Sequence, residues 1–173
     1  PFLPDYLFRI LRYPSNDPER KISAGNSFII ILRQKGKIMA REVALEILLK
    51  YHNEHSYLNI TLNEYLKNST LSRNDKDLVT RIVYGTVQNM IYLEYQLEPY
   101  IKNKKVKSRE KMILLMSLYQ LIFLDKVPEY AIIDEAVKLA KKKNFYAGKF
   151  INAILRNYLR NGKRKIETKD ELE

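Results

Sequence analysis

From Met39 onward, apolar residues recur at the three- and four-residue spacing of amphipathic helices. No alternating strand pattern follows residue 38, so the sequence predicts an all-α bundle. In the third predicted helix, Ser72 and Asp75 have the spacing of a capping box. Seven helices are expected, at about residues 39–53, 57–68, from a Ser72 cap to about 89, 90–102, from a Ser108 cap to about 124, 130–143 and 147–160.

The predicted helix between Ser108 and Leu124 is apolar on nearly every face, which is typical of a central helix surrounded by others. Gln120 is then expected to be buried and hydrogen-bonded. Gly85 lies inside a predicted helix, where glycine costs about 1 kcal/mol relative to alanine. We therefore expect another backbone to approach it closely. Asn152, next to an apolar stripe, is expected to be a buried structural polar group.

The ends of the chain differ from this helical region. Residues 1–38 hold four of the six prolines, and they are interpreted as an N-terminal extension of unclear role. The alternative is an N-terminal arm that packs on the domain, although Met39 also stands where a natural start would. Residues 39–161 form the predicted helical domain. Residues 162–173 have mixed charge and are expected to be a tail or a linker.

Composition narrows the classes of function. The chain has no cysteine, so it has no disulfide, no thiolate nucleophile and no Cys-based metal site. Its two histidines have no obvious third ligand, and no metal site is predicted. The longest apolar run, 112–124, is too short to cross a bilayer, and no secretory signal is present. We therefore expect a cytoplasmic protein. The net charge of +11 suggests a polyanionic partner.

Several stretches, in this order and at these spacings, resemble the NusB-like RNA-binding fold. The fold occurs in free transcription antitermination factors and as the N-terminal domain of 16S rRNA cytosine-C5 methyltransferases. The resemblance covers roughly residues 39–161. It rests on residues 41–45, 77–78, 82–87, 118–121, 124–128, 134–141 and 150–156.

Two positions favour the methyltransferase branch. Free antitermination factors usually have Glu where this chain has Gln120, and they typically end the last motif in Asn-Gly-Val-Leu-Asp. Here residues 152–156 read Asn-Ala-Ile-Leu-Arg, which is similar to the methyltransferase branch. Gln88 departs from that branch, which usually has Arg there. The resemblance places the chemistry and the S-adenosylmethionine site in a C-terminal domain that these residues do not contain, so no cofactor is implied for this chain.

The resemblance implies RNA as the partner, with 16S rRNA and a covalently linked methyltransferase domain as its specific form. A stand-alone antitermination factor, with a ribosomal-protein partner, is the alternative. A protein-interaction bundle with incidental charge is a third hypothesis. Each candidate cation also has an ordinary explanation as part of a solvated loop, a helix C-terminus or a surface pair. The candidate phosphate contacts are Arg41, Lys102, Lys104, Lys105, Lys107, Arg109, Lys141, Lys142, Lys143, Arg156 and Arg160.

Overall fold

The computed structural model describes residues 39–165. The predicted extension 1–38 and the tail beyond Lys165 lie outside the described residues. As predicted, the described part is all-α. Its seven helices are α1 (Ala40–Glu54), α2 (Leu58–Asn68), α3 (Arg73–Gln88), α4 (Met90–Ile101), α5 (Ser108–Phe123), α6 (Glu129–Lys141) and α7 (Phe145–Asn161). The chain divides into two compact units after Val83, and the division falls within α3.

In the first unit, α1 packs against α2 through buried leucine and tyrosine side chains. Tyr65 is only 5% exposed, and burial raises its pKa to about 12, with smaller contributions from nearby glutamates. The predicted cap of α3 is confirmed. The backbone N–H of Asp75 donates to Ser72 Oγ at 3.2 Å, and the Ser72 hydroxyl donates to the Asp75 carboxylate at 2.8 Å.

In the second unit, α5 is the central helix, as its composition predicts. It contacts α4, α6 and α7, and residues 112–118 are all buried. Gln120 is 1% exposed and donates from Nε2 to the Met116 carbonyl at 2.9 Å, which confirms its predicted environment. The Gln120 side-chain N–H group thus has a hydrogen-bond acceptor within its own helix.

The expectation for Gly85 was wrong about its neighbour. A side chain, not a backbone, approaches it. A Cβ atom at residue 85 would lie 1.9 Å from Cζ of Tyr119. The Tyr119 ring stacks on Phe123, with ring centroids 5.4 Å apart. Gly85 is therefore required because an aromatic ring crosses α3 at this point.

Helix ends differ from the prediction where capping was misread. Ser108 is the first residue of α5 and not its cap, because the cap position belongs to Lys107, whose backbone N–H donates to the Glu110 carboxylate at 3.2 Å. α7 begins at Phe145 and not at residue 147. Its cap is Asn144, whose side chain accepts a hydrogen bond from the Tyr146 backbone N–H at 2.9 Å.

Asn152 also differs from the prediction. It is half-buried and not buried, and its Oδ1 accepts a hydrogen bond from Nε of Arg156 at 3.0 Å. The two residues are four apart on α7, and such pairs lie next to each other on a helix surface. Asn152 therefore orients an arginine on the exposed side of α7 and is not a core polar group.

Candidate nucleic-acid interface

Within the described residues 39–165, the excess of basic side chains lies after residue 83. Residues 39–83 hold six basic and six acidic side chains, so they are neutral. Residues 84–165 hold seventeen basic and seven acidic side chains, a net charge of +10. Among the described residues, the positive charge that attracts a polyanion therefore lies on 84–165.

Three cations of the second unit form ion pairs with its carboxylates. Lys111 pairs with Glu94 at 2.6 Å, and Arg164 pairs with Glu98 at 2.9 Å. Lys138 lies 2.7 Å from Asp134 and 3.3 Å from Glu135, and the hydrogen bonds that it donates to these two carboxylates raise its pKa. These three cations were not among the candidate phosphate contacts. Four of the unit's carboxylates thus neutralise the charge of Lys111, Lys138 and Arg164.

The loop between α4 and α5 presents an exposed group of lysines: Lys102, Lys104, Lys105 and Lys107. Asn103 adopts a left-handed backbone conformation, with φ 65°, and turns the chain. Lys104 donates from Nζ to the Tyr100 carbonyl at 2.8 Å, and the same Nζ lies 6.0 Å from the ring centroid of Phe150. The loop therefore lies beside the first turns of α7.

The turn between α6 and α7 is basic and aromatic. Lys141, Lys142 and Lys143 are exposed there. Phe145 and Tyr146 follow directly and are 58% and 74% exposed. We call these five residues the α6–α7 turn cluster. Its lysines extend the positive charge of the 102–107 loop along α7.

The exposed stripe of α7 continues this surface. Phe145, Lys149, Asn152, Arg156 and Arg160 follow one another at three- and four-residue intervals, so they lie on one face of the helix. From residue 145 to residue 160 the stripe is about 22 Å long. Arg156 and Arg160 are exposed at its far end. Such a stripe can follow several consecutive phosphates of a nucleic-acid backbone.

Two of the predicted residues are not part of the 102–107 loop, the turn cluster or the α7 stripe. Arg41 is half-buried on α1 in the other unit. Arg109 is half-buried in the first turn of α5, which distinguishes it from the exposed lysines that precede it. The remaining nine candidates lie on the loop, the turn cluster and the α7 stripe.

Lys149, Phe145 and Tyr146 were missed by the sequence reasoning. Lys149 stands seven residues before Arg156, so helical spacing alone could have placed it on the arginine stripe. The two aromatic residues gave no such signal, because an aromatic residue at a helix start is compatible with either core or surface.

No helix of the described region is long and apolar enough to span a membrane. Likewise, no group of three or more potential metal-ligating side chains occurs within residues 39–165.

Comparison with known proteins shows what the chain is similar to. The NusB family model matches residues 39–160. The probable ribosomal RNA small subunit methyltransferase B of Bacillus subtilis (strain 168) is 41% identical over 128 residues, which cover 73% of this chain and 29% of that relative. The transcription antitermination protein NusB of Clostridium acetobutylicum is 27% identical over 132 residues, covering 73% of this chain and 96% of its own.

A solved structure agrees on the fold. A chain in the crystal structure of antitermination factors NusB and NusE in complex with dsRNA superposes with a TM-score of 0.65. The match covers 71% of this chain and 95% of that chain, at 19% identity. At that identity the likeness shows the helical fold alone.

Proposed function

The chain belongs to the NusB family, and we propose that it is an RNA-binding domain that docks 16S ribosomal RNA for an S-adenosylmethionine-dependent cytosine-C5 methyltransferase. The observation that carries the proposal is the basic surface of residues 84–165, formed by the 102–107 loop, the α6–α7 turn cluster and the α7 stripe. RNA binding there consists of phosphate contacts and shape recognition.

The chain itself performs no methyl transfer in this proposal. It has no cysteine that could attack a cytosine ring. Catalysis and S-adenosylmethionine binding belong to a covalently linked domain outside these 173 residues, and the whole protein acts in the cytoplasm without a membrane partner. The support for this branch is the 41% identity to the Bacillus subtilis relative, of which the chain spans 29%.

The second candidate is a stand-alone antitermination factor that works with a ribosomal-protein partner. The observation that favours it is the similarity to the antitermination protein of Clostridium acetobutylicum, because the match covers 96% of that protein, although the identity is only 27%. A competition experiment distinguishes the two. In the methyltransferase reading, 16S rRNA fragments outcompete an antitermination element at equal length and salt; the reverse order supports the antitermination reading.

RNA binding measured across salt concentrations tests the proposal and its interface. Substituting Lys104, Lys105 and Lys107 by Ala should weaken binding and reduce the log–log salt slope by about 2 to 3, because each lost phosphate contact removes about 0.7–0.9. The matched control replaces by Ala three lysines of the neutral segment 39–83, Lys50, Lys67 and Lys76, and should leave the slope unchanged.

A wild-type slope near zero would exclude phosphate contact and favour a protein-interaction bundle. A clearly negative slope that neither triple variant changes would retain RNA binding but remove the 102–107 loop from the interface.

A further inference from the structure

We infer that Tyr146 is a stacking site for an unpaired RNA base, and that Phe145 and its flanking lysines hold this ring in place beside the cationic stripe of α7. The inference rests on the proposed RNA-binding function and deepens it. It names the ligand as RNA with at least one unstacked base, such as a loop or a bulge, in contrast to a continuous duplex.

The first observation is the exposure of two adjacent aromatic rings. Tyr146 is 74% exposed and Phe145 is 58% exposed. A ring left in water forgoes the stabilisation that burial of its large apolar area would give. Neither ring therefore contributes much to the core. The exposed face is available to a planar ligand, and every nucleobase has a face that stacks on an aromatic ring.

The second observation is that the rings are fixed in position. Asn144 caps α7 by accepting the Tyr146 backbone N–H at 2.9 Å, so residue 146 begins in a regular helical turn. The Phe145 and Tyr146 rings meet edge to face, with centroids 6.0 Å apart and planes at 77°. This arrangement is a favourable geometry for aromatic pairs. The Tyr146 ring is thus supported from one side.

The third observation is the placement of the cations. Nζ of Lys141 lies 5.5 Å from the Phe145 ring centroid, and Nζ of Lys149 lies 5.2 Å from it. Both are at the distance of a cation–π contact. No described cation lies over the Tyr146 ring. The lysines therefore support Phe145 and leave Tyr146 open, while their charges lie where the phosphates flanking a stacked base would pass.

A glycine makes the Lys141 position possible. The Lys141 side chain crosses α7 at Gly148, where a Cβ atom would lie 2.5 Å from Lys141 Cγ. Without a side chain at residue 148, the aliphatic part of Lys141 can lie flat on the helix. Its Nζ then reaches the Phe145 ring.

Charge and chemistry together favour RNA as the occupant. Five cations flank or continue the aromatic pair: Lys141, Lys142, Lys143, Lys149 and Arg156. An apolar protein partner would have to cover this charge without compensating it. A nucleic-acid strand supplies both a polyanionic backbone and flat bases.

The test compares two RNAs of equal length and charge, a hairpin with an unpaired loop and a fully paired duplex. Tyr146→Leu should weaken hairpin binding about 5- to 150-fold, which is the range of base stacking on a protein ring. Tyr146→Phe should bind like the wild type. Duplex binding and the salt slope of both RNAs should not change. A 2-aminopurine in the loop should show altered fluorescence on binding wild type but not Tyr146→Leu.

The matched control is Tyr130→Leu. Tyr130 is 77% exposed and lies in the first turn of α6, eleven residues or about 16 Å along the helix from Lys141. This variant should leave hairpin binding unchanged.

Equal hairpin affinity for Tyr146→Leu and wild type, with a normal salt slope, would overturn the stacking inference and leave the RNA-binding proposal intact. An equal loss on hairpin and duplex would also overturn it. A salt slope near zero for wild type on both RNAs would overturn the proposed function itself.

Discussion

Gln96 on α4 holds the chain segment that follows α7. Its side chain is fully buried. Nε2 donates to the Arg164 carbonyl at 2.8 Å, and Oε1 accepts from the Arg164 backbone N–H at 2.8 Å. One side-chain amide thus satisfies both backbone groups of one residue, as a neighbouring β-strand would. Gly162, with φ 74°, ends α7 and lets the chain turn toward α4.

Further contacts of Arg164 strengthen the attachment. Its guanidinium carbon lies 4.0 Å from the Tyr95 ring centroid, and Nη1 lies 2.9 Å from the Glu98 carboxylate. Nη1 also lies 3.4 Å from the Tyr95 carbonyl, which Pro99 leaves without its usual partner four residues later, since proline has no N–H. These contacts are exposed, so each contributes less than about 1 kcal/mol.

Gln96→Leu removes both hydrogen bonds to the Arg164 backbone and replaces the polar side chain by an apolar one of similar size. Each bond contributes about 1 kcal/mol, and a partly buried group left unsatisfied costs about 1–3 kcal/mol. We expect a total of about 2–4 kcal/mol. The segment can detach locally, so the loss of global stability is limited to the free energy with which residues 162–165 are docked.

Hydrogen exchange at the Arg164 amide is the direct measurement. A loss of 2–4 kcal/mol corresponds to about 30- to 1000-fold faster exchange there. Tryptic cleavage at Lys163, Arg164 and Lys165 should accelerate in parallel. The Arg164 exchange rate in Gln96→Glu should fall between those of the wild type and Gln96→Leu, because a carboxylate can accept from the Arg164 N–H but repels its carbonyl.

Gln88→Leu is the matched control, since Gln88 is an exposed glutamine on α3. It should leave exchange at Arg164 unchanged. Unaltered exchange at Arg164 in Gln96→Leu would refute the reasoning, because it would mean that the two short hydrogen bonds do not hold the segment.

Two further substitutions test the packing of the second unit by urea unfolding. Gly85→Ala should destabilise the protein by about 1–3 kcal/mol, because the new Cβ would lie 1.9 Å from Tyr119 Cζ. Adding Tyr119→Leu to the same chain should recover part of this loss of stability. An unchanged stability of Gly85→Ala would mean that the Tyr119 ring moves freely. Tyr158→Phe should be as stable as wild type or more stable at neutral pH, because the buried Tyr158 hydroxyl has no hydrogen-bond partner among residues 39–165. Burial raises the Tyr158 pKa to about 12, so the wild type loses unfolding free energy as the pH rises from 10, where the unfolded tyrosine ionises, through 12. The Phe variant should lose about 1–3 kcal/mol less unfolding free energy over that range. Parallel plots of unfolding free energy against pH for the two proteins would contradict the shift.

The helical architecture was predictable because each helix has its own apolar periodicity. The central position of α5 and the burial of Gln120 followed from a helix that is apolar on nearly every face. Helix ends were less predictable, since Ser108 and Asn144 are both of residue types that favour the cap position. Only the backbone geometry shows that Asn144 caps α7, whereas Ser108 is the first residue of α5. The glycine at residue 85 indicated that another part of the chain packs closely against α3. Identifying that part as the ring of Tyr119, 34 residues later, required the tertiary structure.

The uneven distribution of charge along the helical domain was not predictable from the sequence, because the boundary between its two units was not. Taken together, residues 38–161 carry a net charge of +7, which suggests a diffusely basic domain. The boundary after Val83 separates residues 39–83, which are neutral, from residues 84–161, which carry the whole net charge of +7. That boundary lies within α3, and no proline or polar linker marks it in the sequence. Only the packing of the helices shows that the excess charge belongs to one unit.

The exposed aromatic pair was unpredictable for a related reason. With α7 expected to begin at residue 147, Phe145 and Tyr146 fell in a connection, where a large side chain usually folds back onto the core. The Asn144 cap moves the helix start to Phe145 and fixes both side chains in its first turn. On a helix the direction of a side chain follows from its position, so the helix start at Phe145 sets the direction of both side chains. The position of the Asn144 cap therefore places two aromatic residues on the surface, at the basic end of α7.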